Sequence, residues 1–216
     1  MFTIMWQYYR PVIKNKDAFL NPLDLSQWSK LMEHAYVNNE LVEKVINFAF
    51  EWETTASIEW AWDYGDSEPC YTNEEDEECN LYEYADLSYD NVLNKTISDK
   101  HEYNIFYCIA NHQYCIVPSV DKLTIHPLPL LCTNDNGRWG WDYKGTNEDE
   151  CGIWVDKSIA AFKTVEEFIA YLKANERNLP GIGTQPLVKV WTFSDYSYCE
   201  TWDANFLKDI EDQLPF

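Results

Sequence analysis

Three short stretches of the sequence carry residue types that can do chemistry. Cys108, His112 and Cys115 lie within eight residues of each other and offer the thiolate and imidazole ligands that zinc prefers. Glu59 and Asp63, in "IEWAWDYGD", offer two carboxylates beside tryptophans, as in enzymes that hydrolyse glycosidic bonds. "TNEEDEEC" offers the oxygen ligands that calcium prefers. Each stretch can be tested against the spacing that its chemistry requires.

The spacing weakens both metal interpretations. Zinc sites usually combine a Cys-x-x-Cys pair with a second pair of ligands, and the sequence around Cys108 does not follow that pattern. An EF-hand loop needs glycine at its sixth position, and the acidic run contains no glycine. We therefore expect no bound metal and no cofactor, and we interpret Cys108 and Cys115 as small buried residues on two strands of a hairpin. A metal at the Cys108, His112 and Cys115 cluster stays open as an alternative.

Motifs for nucleotide binding and for nucleophilic catalysis are also weak. "LPGIGTQP" lacks the third glycine of a dinucleotide-binding loop, and no Walker lysine motif occurs. The cysteines and histidines carry no flanking signature of a catalytic nucleophile. We therefore expect a binding protein rather than an enzyme, with a carbohydrate-active hydrolase that uses Glu59 and Asp63 as the alternative.

The charge of the sequence is concentrated in one region. The net charge is −21, and residues 45–94 contain fourteen carboxylates but no lysine, arginine or histidine. Such a field repels nucleic acids and anionic membranes and attracts basic proteins. Duplex DNA carries one charge per about 3.4 Å of each strand, and an extended acidic chain places residues about 3.3 Å apart. The region therefore resembles the charge pattern of DNA.

Tyrosines are interleaved with these carboxylates, and tyrosine is favoured at the centres of protein interfaces. A segment that served only solubility would contain few aromatic residues. The alternative is an exposed acidic loop whose tyrosines belong to neighbouring strands. We predict a partner-binding site made of carboxylates and tyrosines: Asp66, Glu68, Tyr71, Glu74, Glu75, Asp76, Glu77, Glu78, Tyr82, Glu83, Tyr84 and Asp86.

The first part of the chain predicts helices followed by a strand. "DLSQWSKLMEHAYVNNELVEKVINFAFEW" has apolar residues at helical spacing, and the asparagine pair in its middle divides it into two predicted helices. Ile58, Trp60, Trp62 and Tyr64 then alternate with polar or small residues, which predicts a strand with one aromatic face. "NLYEYADL" is interpreted as a further strand.

The second part predicts a sheet followed by helices. "YNIFYCIANHQYCIVP" predicts a hairpin, "KLTIHPLPLL" an extended segment, and "GRWGWDYKG", with a turn before it at 135–137, "CGIWVDKS" and "PLVKVWTF" further strands. Thr164 and Glu167 form a capping-box pattern before "VEEFIAYLKANER", which predicts a helix. "DANFLKDIEDQL" predicts a terminal helix with Asp203 near its N-cap.

The segments "GRWGWDYKG" and "CGIWVDKSIAAFKTVEEFIAYLKANE" resemble the end of the SMI1/KNR4-like bacterial immunity proteins, in which strands of a sheet run into a helix. The N-terminal half of the chain does not share this resemblance. The resemblance implies the order of elements in residues 137–176, and we transfer no site residue from it.

These patterns predict an α+β fold with a mixed or mainly antiparallel sheet of about five or six strands, flanked by N-terminal and C-terminal helices. We expect a single domain over residues 1–216, with an N-terminal helical subdomain over 1–55 as the alternative. The odd number of cysteines and the absence of a signal-peptide pattern predict a cytoplasmic protein with reduced thiols.

The predicted function is that of an acidic inhibitor. Its partner would be a basic protein, either a nuclease toxin or a nucleic-acid-binding defence enzyme, and we expect no direct contact with nucleic acid or membrane. The sequence does not distinguish an immunity protein from a phage or plasmid anti-defence protein.

Overall fold

A computed structural model describes most of the chain between residues 8 and 199. The described residues are 8–25, 31–35, 38–63, 71–73, 77–95, 102–110, 112–117, 126–133, 141–143, 154, 158–175, 181–182, 186–191 and 196–199.

The described residues form strands, helices and two short 3-10 helices. The strands are β1 (Tyr9–Ile13), β2 (Ala18–Phe19), β3 (Thr55–Trp62), β4 (Tyr71–Thr72), β5 (Glu78–Cys79), β6 (Asp90–Asn91), β7 (Ile105–Cys108), β8 (Gln113–Ile116), β9 (Trp141–Tyr143), β10 (Ser158–Phe162), β11 (Gly181–Ile182), β12 (Pro186–Trp191) and β13 (Tyr196–Cys199). The helices are α1 (Leu31–His34), α2 (Glu40–Ala49), α3 (Leu81–Ser88), α4 (Pro127–Leu131) and α5 (Val165–Ala174). The 3-10 helices are Lys14–Lys16 and Pro22–Leu25.

Eight strands form the main sheet, in the order β11-β8-β7-β10-β3-β1-β2-β6. The pairs β11–β8 and β2–β6 are parallel and the other pairs are antiparallel, so the sheet is mixed. β13, β12 and β9 form a second sheet, and β4 and β5 form a two-stranded hairpin. The α+β fold with a mixed sheet is confirmed, and the main sheet is larger than predicted.

One face of the main sheet carries the largest core. In β3, Ile58 and Trp60 lie on this face, opposite Ile13 and Pro11 of β1. Helices α1, α2 and α4 pack against it. The predicted face of β3 is confirmed for Ile58, Trp60 and Trp62, of which the first two are fully buried and Trp62 is partly buried.

The opposite face is covered by two helices. α5 buries Phe168 and Leu172 against Tyr107 and Phe162. Over the other half of the same face, α3 packs on β1, β2 and β3 through residues that include Leu81 and Ala85. The sheet thus lies between two helical layers: α1, α2 and α4 cover one face, and α3 and α5 cover the other.

Several local predictions are confirmed. The break between α1 and α2 lies at Asn38, whose φ of 65° is left-handed, and at Asn39, which caps α2 through its side chain. β7 and β8 form the predicted hairpin. Thr164 caps α5 by accepting a hydrogen bond from the Glu167 amide.

One predicted strand and one predicted extended segment are wrong. Each contains a helix, and a capping residue precedes that helix. "NLYEYADL" is α3, and the Asn80 side chain accepts a hydrogen bond from the Glu83 amide. Within "KLTIHPLPLL", Pro127–Leu131 is α4, with His126 as its N-cap and a proline in its first turn.

Other predictions are shifted or lie outside the described residues. The strand predicted in "CGIWVDKS" begins only at Ser158, and Trp154 lies outside any strand. Tyr64, the turn at 135–137 and the terminal helix with Asp203 are outside the described residues.

Candidate protein-binding surface

α3 presents one apolar side to the sheet and one acidic side to solvent. Leu81 and Ala85, four residues apart, are buried against Val12, Phe19 and Ala61. This spacing places both on the same side of the helix. Glu83, Asp86, Leu87 and Ser88 are exposed.

Arg10 of β1 ties α3 to the sheet. Its side chain is only 7% exposed, and its Nη1 donates to Oδ1 of Asp86 at 2.8 Å. Its Cζ lies 3.6 Å from the centroid of the Tyr82 ring and 5.1 Å from that of Phe19. A guanidinium held between two rings and a carboxylate fixes the angle at which α3 meets the sheet.

In the acidic run before α3, residues 71–73 and 77–79 pair as the two strands of a hairpin. Tyr71 pairs with Cys79 and Thr72 with Glu78. Next to these pairs, the Asn73 amide donates to the Glu77 carbonyl at 3.0 Å, and the Glu77 amide donates to the Asn73 side chain at 2.9 Å. These hydrogen bonds fix the backbone at Glu77 and Glu78.

Three tyrosines join the hairpin to α3. The rings of Tyr71 and Tyr84 stack with centroids 4.8 Å apart, and Tyr89 meets Tyr84 edge-on at 5.5 Å. Burial, and then the charge of Glu59, raises the pKa of Tyr71. Burial, and then the charge of Asp17, raises the pKa of Tyr89. A tyrosine is protonated at neutral pH in any case, and these shifts keep both phenols protonated, and able to donate hydrogen bonds, to a higher pH than usual.

These elements bring seven of the predicted site residues onto two adjoining segments. We call this surface the acidic face, and its members are Tyr71, Glu77, Glu78, Tyr82, Glu83, Tyr84 and Asp86. Tyr82 is half-buried under Arg10, whereas the carboxylates point to solvent. The other predicted members, Asp66, Glu68, Glu74, Glu75 and Asp76, lie outside the described residues.

Two residues that adjoin this surface, Arg10 and Leu87, were not predicted as part of the site. Arg10 was missed because nothing local links it to Asp86, 76 residues away. Leu87 was missed because "NLYEYADL" was interpreted as a strand. The only sequence signal for either was Asn80, a residue type favoured at helix N-caps.

The carboxylates proposed for hydrolysis have structural partners instead. Glu59 is buried, and its Oε2 lies 3.0 Å from Nζ of Lys14. Oδ1 of Asp63 accepts a hydrogen bond from the Tyr8 amide at 3.0 Å. Both carboxylates are thus engaged in contacts that hold the fold, one with a lysine and one with a backbone amide, and these contacts do not favour a role in hydrolysis.

Cys108 and Cys115 lie on neighbouring strands and are buried, and neither is in a disulfide in the part of the chain that the structure describes. Burial, with the nearby Cys108 as a smaller cause, raises the pKa of the Cys115 thiol well above its usual range. His112 is exposed, and its Nδ1 lies 2.9 Å from the Tyr107 hydroxyl. Within the described ranges, no group of three or more histidine, cysteine or acidic side chains is arranged to hold a metal ion.

Comparison of the chain with protein-family models, with curated proteins and with solved structures finds no match. The resemblance of residues 137–176 to SMI1/KNR4-like proteins is therefore not accompanied by a family match. Among the helices that the structure describes, none has the length and apolar character needed to cross a membrane.

Proposed function

We propose that this protein binds and blocks a basic protein that acts on nucleic acid, and that it does so through the acidic face. The observation that carries the proposal is the ordered backbone that carries the exposed carboxylates. Glu77 and Glu78 lie in a hydrogen-bonded hairpin, and Glu83 and Asp86 lie on a helix that Arg10 connects to the sheet. A backbone that is already ordered loses little entropy when a partner binds.

Charge and aromatic rings have separate roles in this proposal. The net charge of −21 steers a basic partner toward the protein and raises the association rate. Tyr71 and Tyr84 stack on each other and are half-buried, and the exposed parts of the two side chains can contact lysine or arginine. Such contacts slow dissociation.

The helical part of the acidic face does not reproduce the charge spacing of DNA. Residues 81–88 form a helix, with a rise of about 1.5 Å per residue, so they do not repeat the spacing of an extended chain. The proposal therefore rests on the sign of the charge and on the ordered backbone that carries it. The protein fits the role of an immunity protein against a nuclease toxin or of an anti-defence protein of a phage or plasmid.

The test is charge reversal with a matched control. Glu77→Lys/Glu78→Lys/Glu83→Lys changes the acidic face, and Glu53→Lys/Glu102→Lys/Glu166→Lys makes the same change of net charge at exposed residues outside it. Each protein is used to capture partners from host lysate. The captured basic proteins are then tested for inhibition of nuclease or nucleic-acid-binding activity.

We expect the wild type and the control to capture and inhibit the same basic protein, with an association rate that falls steeply as salt rises. The acidic-face variant should lose capture and inhibition. Equal inhibition by all three proteins would contradict the proposal, as would capture that does not depend on salt.

A further inference from the structure

We draw no further inference here: the strongest candidate, the pair of ammonium groups of Lys16 and Lys95 beside the half-buried ring of Phe48 near the end of α2, carries nothing, because Lys16 already donates to the Phe48 carbonyl, Lys95 already lies beside Asp90, and nothing in the part of the chain that the structure describes points to an anion bound between them.

Discussion

The guanidinium carbon of Arg10 lies 3.6 Å from the centroid of the Tyr82 ring, so that a buried cation of strand β1 is covered by an aromatic ring of helix α3. The same guanidinium donates to Asp86, one turn further along the helix. Arg10 therefore connects the sheet to the helix that carries the exposed carboxylates.

Replacing Arg10 should loosen this connection. We expect Arg10→Ala to lower the free energy of unfolding by about 2–4 kcal/mol, because a buried, stacked and hydrogen-bonded side chain is lost. Arg10→Lys should give an intermediate value, since it keeps the charge but not the planar group. Urea unfolding measures both. If Arg10→Lys is as stable as the wild type, charge alone holds α3 and the contact with Tyr82 adds nothing.

The Asn80 cap should matter for α3 specifically. Asn80→Ala removes the acceptor for the Glu83 amide and should cost about 1 kcal/mol. Asn80→Asp keeps an acceptor and should lose less, although it loses the Nδ2 donor to the Asp63 carbonyl. Hydrogen exchange of the amides in residues 81–88 reports the effect locally. Unchanged exchange in Asn80→Ala would show that tertiary packing alone fixes the start of the helix.

Glu59 should contribute to the stability of the fold rather than to catalysis of a hydrolytic reaction. Its ion pair with Lys14 is largely buried on the carboxylate side, so removal of either partner leaves the other without its counter-charge. A double-mutant cycle of Glu59→Gln and Lys14→Met should give a coupling energy of about 1–2 kcal/mol. Capture of the basic partner should be unchanged in Glu59→Gln. Additive single effects would contradict the interaction.

The free energy of unfolding should decrease as the solution is made more acidic, because His126 is protonated more readily in the unfolded chain than in the folded protein. Burial lowers the pKa of His126 to about 3 in the folded protein. Its usual value in an unfolded chain is about 6.5. Above pH 6.5 neither state binds the proton. As the pH falls from 6.5 toward 3, only the unfolded state binds it, so stability decreases by up to about 1.4 kcal/mol per pH unit from this group.

The control for His126 is His126→Asn, which keeps a side chain suited to an N-cap and removes the titrating group. The unfolding free energy of wild type and variant should be measured between pH 5 and 7.5. The variant should show a smaller loss of stability on acidification. Parallel curves would mean that His126 binds a proton equally in both states.

Cys115 should be unreactive while the protein is folded. Its thiol is buried and its pKa is raised well above the usual range, so the thiolate that reacts with alkylating agents is scarce. Iodoacetamide at pH 8 should modify Cys115 only after denaturant is added, with the modified peptide identified by mass spectrometry. Rapid alkylation of the native protein would contradict the burial of this hairpin.

Sequence patterns predicted the elements whose signals are local. α5 has a capping box, α2 has helical spacing after an asparagine cap, and β7 and β8 are apolar runs around a short turn. In each case the residues that decide the structure lie within a few positions of one another.

β1 and α3 could not be predicted in the same way. β1 contains Pro11, which is unusual inside a sheet, and Arg10, which is rarely buried. The Pro11 carbonyl still accepts a hydrogen bond from the Leu20 amide at 3.1 Å, just beyond β2, so proline removes one donor from this pair but not its acceptor. The pattern of "NLYEYADL" fits a strand or a helix. The helix is favoured by the Asn80 cap and by packing against distant residues such as Phe19. The composition of the candidate site was thus accessible from sequence, but its shape was not.

The position of β10 in the sheet has a consequence for synthesis of the chain. β10 joins β7 on one side and β3 on the other, so it connects two groups of strands that otherwise do not pair. During translation, β1, β2, β3 and β6 can assemble, and the β7–β8 hairpin can form, but the two groups cannot join until residue 162 has left the ribosome. The edge of β3 at Thr55, Ala56 and Ser57 and the edge of β7 stay unpaired until then, and exposed edges favour aggregation. Slow elongation after β8 would therefore lower the yield of folded protein more than a delay after residue 162.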